Sequence, residues 1–397
     1  MRRLFSLVIL ALVACGYIAS QQETLALVGG TLINGTGAEP VHNAVVVVQN
    51  GRIVAVGMRK NVVIPEDART IDVAGKTILP GFINAHVHFP FTEVEQHLKA
   101  WAQGGVTTVR NIGSRPFFSE RDSVLEDNQN ARLVMSGPLV TVPDGYPIIP
   151  WGNNIIALTV TSSEDARQKV DKLLDDGADI IKIAIERGDV LPSSVPNTLS
   201  LEEAAAIVEV AHSRDTIVSA HVTASRDLKL ALDAGVDDIA HMVADTLPPE
   251  LIERMIKDGV YWVPTLELWK CVAHGYRQPA IDNLALFVKA GGGGKVALGT
   301  DFNGYNCRFQ LGMPTTEMGL MQAAGMTPMQ IIVAGTRNAA HVSNLARELG
   351  TLEAGKIADI IVVEGDPLSD IHALANVKMV IHNGVVIKDE MKGETKK

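Results

Sequence analysis

Residues 79–90 read LPGFINAHVHFP, an apolar run that ends in two histidines one residue apart. On a strand, side chains alternate between faces, so His86 and His88 point the same way. Two neutral imidazoles on one face can hold a divalent cation; they can equally be two polar side chains at a strand end. What surrounds the stretch decides between these readings, and the fold with them.

Working outward, both chain ends read as short strands. Residues 43–57, NAVVVVQNGRIVAVG, are two apolar runs joined at Asn50-Gly51, and residues 377–387, VKMVIHNGVVI, repeat the pattern around Asn383-Gly384. Asn-Gly between apolar runs is the strongest short hairpin signal. A small β-sandwich domain formed by both chain ends, residues 21–80 plus 351–390, is therefore expected.

Between them, residues 81–350 alternate strand and helix. After the run ending at His86, strands are predicted at VTTV (106–109), RLVM (132–135), IIKIA (180–184), TIVSA (216–220), DDIAH (237–241), VYWVP (260–264) and VALGT (296–300). Thr92 with Glu95, Ser162 with Asp165, Ser200 with Glu203 and Thr327 with Gln330 have capping-box spacing, and Gly104, Gly177, Gly235 and Gly259 stand at helix ends. Eight strands alternating with helices predict an α/β fold, a (β/α)8 TIM-like barrel, although doubly wound sheets alternate too. The four glycines 291–294 precede a strand rather than a helix, so they are no phosphate loop; they read as a flexible connection.

The chain has 397 residues, 47% hydrophobic and 20% charged, enough for one large core and a smaller one. Its net charge of −10 argues against nucleic acid or an anionic membrane as the main partner and says little about the substrate, which is expected to be a small-molecule substrate. Arg2 and Arg3 precede the apolar run Leu4–Val13 and then Ala14-Cys15-Gly16. A positive flank, a short apolar core and small residues make a signal peptide over residues 1–20, so an exported protein is expected. LVAC resembles a bacterial lipobox, which would anchor the protein to the membrane through a lipidated Cys15; the alternative is cleavage near Ser20-Gln21 and a periplasmic or secreted product. Cys271 and Cys307 read as two partly buried thiols, able to pair in an oxidising compartment.

In such a barrel, reactive groups sit at the C-terminal ends of strands. Those ends carry His86 and His88, Lys182, His221, His241 and Asp301. Each alone can be a satisfied polar residue, a loop cap or a snorkelling lysine, but accidents would not all fall on one rim. A lysine buried there has a depressed pKa and becomes a nucleophilic amine. It can add CO2 to give a carbamate, whose two oxygens can bridge two metals.

The segments LPGFINAHVH, GVTTVRN, GADIIKI, AHV, GVDDIAH, GTD and GTLEAGKIADIIVVEGDPL together resemble the amidohydrolase superfamily of metal-dependent hydrolases. Within it, the chain is similar to the branch of imidazolonepropionase-like proteins, Xaa-Pro dipeptidases, other zinc peptidases and ochratoxin-type amidases. The resemblance covers nearly everything after residue 24. It implies two divalent metal ions, zinc in kind: His86, His88 and Asp301 on one, His221 and His241 on the other, and carbamylated Lys182 bridging. It implies hydrolysis of an amide bond by metal-activated water, with Asp301 as the catalytic proton carrier. The deaminase branch has a glutamate three residues after the strand-5 histidine, where this chain has Ala224.

Specificity is expected in the loops 113–118, 141–152, 185–194 and 303–309. Tyr146 could donate to an oxyanion, and Arg115 or Arg187 could pair a substrate carboxylate; loop packing and solvated charge are the plainer readings. Dipeptidase relatives commonly carry Gly-Gly after the strand-4 lysine, whereas this chain reads IERGD. His212 and His274 are expected away from the rim. A hydrolase of esters, lactones or organophosphates and a non-catalytic binding barrel are the alternative functions, and relatives of this kind are often dimers or larger.

Overall fold

The segment after His86 hydrogen-bonds to the strand that lies farthest from it in sequence, and that pairing closes the fold. The computed structural model describes residues 23–88, 93–152, 154–191, 194–272, 274–302 and 309–391. The signal segment with Cys15, the Thr92 cap, Cys307 and most of the 303–309 loop lie outside the described residues.

Seven expected barrel positions are regular strands: Phe82–Val87, Val106–Asn111, Arg132–Met135, Ile181–Ala184, Val218–His221, Asp238–Ala240 and Tyr261–Val263. The third resumes at Leu139–Thr141, where Val140 pairs in parallel with Ile183 of the fourth. The eighth, residues 296–302, joins through parallel bridges from Trp262 to Val296 and from Val87 to Phe302. Parallel pairing therefore runs around a closed eight-membered ring. The eighth member joins by isolated bridges rather than a continuous ladder, and Asp301 within it stands at φ 58°. A short strand absent from the sequence reading, Ala157–Thr159, pairs outside the ring with Leu139–Thr141.

Helices cover the ring through apolar stripes. Ser163–Asp175 buries Ala166, Val170, Leu173 and Leu174 at helical spacing, and the Ser162 hydroxyl caps it by accepting from the Asp165 amide. Full capping boxes at Ser200/Glu203 and Thr327/Gln330 start the helices Leu201–Ser213 and Pro328–Val333. No helix among the described residues is long and apolar enough to cross a membrane.

Both chain ends build two further sheets. One orders Arg52–Met58, Ala44–Gln49, Leu25–Val28 and Arg69–Asp72; the other orders Val385–Asp389, Val377–His382, Ile360–Glu364, Lys76–Pro80 and Thr31–Leu32. Alternate residues Leu25, Leu27, Val46 and Val48 of the first meet Ile78, Ile360, Val362, Met379 and Ile381 of the second in a separate apolar core. Asn50-Gly51 and Asn383-Gly384 turn the hairpins with both residues at positive φ.

Two expectations are corrected. The glycine run is packed rather than flexible: Gly292 and Gly293 are buried in a 3-10 turn, and a Cβ at Gly292 would come within 2.5 Å of the Phe287 ring. Cys271 is disulfide-bonded, not a free thiol; its partner lies outside the described residues.

Candidate active site

Asn84, inside the apolar run of the first strand, ties that strand to the eighth. Its amide donates to Thr300 Oγ1 at 2.9 Å, while its carbonyl oxygen accepts from the Thr300 amide at 3.2 Å and the His86 amide at 3.3 Å. Gly299 permits this approach, since a Cβ there would stand 2.4 Å from Val263 and 2.8 Å from the His86 Cβ. Asp301 is thereby brought against the two histidines that open the sequence reading. Its Oδ1 lies 3.1 Å from His86 Nε2 and 2.9 Å from His88 Nε2, and the two Nε2 atoms are 3.2 Å apart.

His88 is fixed from behind: its Nδ1 donates to the Gly113 carbonyl at 3.0 Å. In a neutral imidazole this leaves Nε2 with a bare lone pair. Nε2 faces the Asp301 carboxylate at 2.9 Å, where a proton or a cation must lie between nitrogen and oxygen. Gly113 also makes room for the ring, because a Cβ there would come 2.7 Å from His88 Cε1.

The other two histidines continue the cluster. Ring centroids are 4.7 Å apart for His86 and His241, and again 4.7 Å for His221 and His241. His241 stands at φ 72°, and its Nδ1 is 2.9 Å from the Thr265 hydroxyl, itself at φ 48°. Left-handed backbone at His241, Thr265 and Asp301 costs on the order of 1–3 kcal/mol per residue, and such strain gathers at functional sites. Burial holds His86, His221 and His241 well below the usual imidazole pKa, and the Lys182 charge adds to it, so the three rings are neutral. Burial works against charge on Asp301 too, yet His86 and His88 beside it hold its carboxyl well below the usual range.

Lys182 is 1% exposed, and its Nζ has no hydrogen-bond partner. Burial lowers its pKa from 10.5 to about 7, with Arg110 adding to the fall and Asp238 opposing it. Beneath it, fully buried Arg110 pairs with Asp238 at 2.8 Å and donates to the Ala85 and Val342 carbonyls at 2.5 Å. Lys182 thus stays unpaired in a neighbourhood that already contains one satisfied ion pair.

Buried atoms without hydrogen-bond partners include His86 Nδ1, Lys182 Nζ, His221 Nε2 and Asp301 Oδ1. His86, His88 and Asp301 offer ligand atoms within 4.8 Å of one another. The converging Nε2 atoms of His86 and His88 with the Asp301 carboxylate oxygen are a donor set that fits a divalent cation.

The family model for amidohydrolases matches residues 77–387. This chain belongs to the amidohydrolase family. It is 26% identical to an ochratoxinase of Aspergillus niger over 92% of this chain and 86% of that one. It is 25% identical to an imidazolonepropionase of Haloarcula marismortui, covering 85% and 87%. A crystal structure of a Xaa-Pro dipeptidase with methionine bound in its active site superposes with a TM-score of 0.77, at 26% identity over 92% of this chain and 99% of that one. The protein is accordingly a hydrolase that acts on carbon–nitrogen bonds of small molecules.

The substrate candidates are placed differently from one another. Tyr146 stacks on His221, with centroids 4.0 Å apart and planes 17° from parallel. Arg115 is exposed in the loop after the second strand. Arg187 is corrected: its guanidinium is taken up by buried Asp227, whose Oδ2 also accepts the Arg187 amide at 3.1 Å. His212 lies off the rim, 2.9 Å from Asp237; nothing is described for the His274 side chain. The sequence reading missed Asn84, Thr265, the Arg110–Asp238 pair and Glu186. A polar residue inside an apolar run was the available signal for Asn84 and Arg110; Thr265 had none.

Proposed function

We propose that this protein is a two-metal hydrolase, with zinc the fitting cation, that cleaves the amide bond of a dipeptide, an N-acyl amino acid or a cyclic amide. The observation that carries this is the convergence of four imidazoles, the Asp301 carboxylate and a buried, unpaired lysine on one rim. His86, His88 and Asp301 would hold one cation, and His221 and His241 the other. Lys182 would lie between them as a carbamate: its amine lone pair forms a bond to the carbon of CO2, the nitrogen loses a proton, and one negative charge spreads over two oxygens.

When bound, the cations supply Lewis acidity, which lowers the pKa of water and polarises a carbonyl. Asp301, held deprotonated, accepts the proton of the attacking water and hands it to the departing nitrogen. Tyr146 keeps its hydroxyl proton because burial, and then the charges of Asp301 and Glu186, push its pKa up, so it can donate to the carbonyl oxygen. Arg115, exposed on the loop after the second strand, would pair a substrate carboxylate.

Export is part of the proposal: residues 1–20 as a signal peptide, then either a lipid anchor on Cys15 or a free periplasmic or secreted protein, assembling as a homo-oligomer. The disulfide at Cys271 supports an oxidising compartment. The test is residues 21–397 reconstituted with zinc and bicarbonate, then assayed on Xaa-Pro dipeptides, N-acyl amino acids, lactones and aryl esters. Turnover confined to amides is expected. Turnover on lactones or esters alone overturns the bond class, and failure to bind metal overturns the mechanism.

A further inference from the structure

Beyond the His86–His88–Asp301 contacts, three of the four histidines place a ring nitrogen near a further polar group, and the groups differ. His88 uses Nδ1 on the Gly113 carbonyl and His241 uses Nδ1 on the Thr265 hydroxyl, so each turns Nε2 to the site. His221 is reversed: its Nε2 faces Glu186 Oε2 at 3.4 Å and has no hydrogen-bond partner.

Glu186 itself is 0% exposed. Its Oε2 accepts from the Thr223 hydroxyl at 2.5 Å, its Oε1 accepts from the Gly188 amide at 2.6 Å, and its own amide donates to Thr198 Oγ1 at 3.1 Å. The next residue is pinned by Asp227. Two residues past the end of the fourth strand, burial works against charge on this carboxyl, while the Thr223 hydroxyl, the Gly188 and Arg187 amides and the Arg187 charge favour it; its Oε2 is aimed at His221. At 3.4 Å the contact to His221 is longer than a formed hydrogen bond, and Nε2 has no other partner.

We propose that Glu186 is a positioning residue for His221: its carboxylate accepts the Nε2 proton and fixes the tautomer that leaves Nδ1 bare for a cation. A carboxylate behind a ligating imidazole raises its basicity as well as orienting it. The proposal rests on the reading of His221 as a metal ligand.

The test uses the full mature chain as wild type, Glu186→Leu and Glu186→Gln, with His221→Gln to assign signals. Metal-free protein labelled with 15N-histidine reports the His221 tautomer by NMR. Cobalt(II) titration then reports each binding step. Wild type is expected to show Nε2–H at His221. Glu186→Leu should lose that single tautomer and weaken, by about 10–100-fold, the cobalt step that His221→Gln also weakens, while the other step is unchanged. Glu186→Gln keeps one acceptor oxygen where two are used, and should fall between wild type and Glu186→Leu in both signals. Nδ1–H at His221 in wild type, or unchanged cobalt binding by Glu186→Leu, overturns the proposal. If Glu186→Leu does not fold, the wild-type tautomer and the glutamine variant decide. Wild type that shows Nε2–H yet takes up only one cobalt sinks the two-metal reading and leaves the role of Glu186 standing.

Discussion

Replacing Lys182 with methionine separates function from folding at one atom. Methionine retains the unbranched stem that lies between Ile181 and Ile183 and drops the amine, whose Nζ has no partner. Burial lowers the pKa from 10.5 to about 7. At pH 8 the unfolded lysine is protonated and the folded amine is not. At about 1.4 kcal/mol per pH unit below 10.5, folding therefore loses about 3 kcal/mol in the metal-free, CO2-free protein. The sign follows from the depressed folded pKa: the cost is greatest below pH 7, shrinks as pH rises, and vanishes near 10.5. Lys182→Met should thus be about 3 kcal/mol more stable than wild type by urea unfolding in chelator at pH 8, with the gap closing toward pH 10. The same variant should bind fewer than two metals and lose about 1000-fold or more in kcat/KM, equivalent to about 4 kcal/mol of transition-state stabilisation. A metal-free variant less stable than wild type refutes the buried-amine account. Two bound metals with turnover within about tenfold of wild type refutes the carbamate.

Other outcomes follow from the same geometry. Lys182→Ala should recover part of its metal content and turnover when short carboxylic acids such as acetate are added, which metal analysis and rate measurements read directly. Asp301→Asn should keep part of its metal but lose about 100–10,000-fold in kcat, the range for a removed acid–base group; near-normal turnover would contradict the assignment. Asp238→Asn leaves Arg110 buried and uncompensated and should cost about 3–5 kcal/mol in metal-free urea unfolding. Glu317 is fully buried against the Leu266 and Glu267 amides, and burial raises its pKa from 4.5 to about 8. Its protonated form therefore stabilises the fold fully below pH 4.5, and that contribution is lost as pH rises to 8; Glu317→Gln should flatten this part of the stability–pH curve.

Much of the architecture was legible in local signals. Period-two and buried apolar runs gave the strand positions, Asn-Gly the hairpins, and Ser162, Ser200 and Thr327 the helix starts, because each depends on residues within one turn or strand of one another. Strand-end position also singled out His86, His88, Lys182, His221, His241 and Asp301 as a set, since barrel topology gathers strand ends without reference to side-chain detail.

What the chain alone could not decide is whatever depends on contacts between distant segments. Arg187 reads as a free cation in IERGD until Asp227, forty residues on, takes its guanidinium. The glycine run reads as flexible until Phe287 and Gln330 fill the space above it. Glu186 is one more acidic residue in a loop until Thr223 and His221 surround it. Local sequence sets backbone preference and alternation, which act over a few residues; burial, ion pairing and the tautomer of each imidazole are set by neighbours that only the closed ring brings within hydrogen-bond reach.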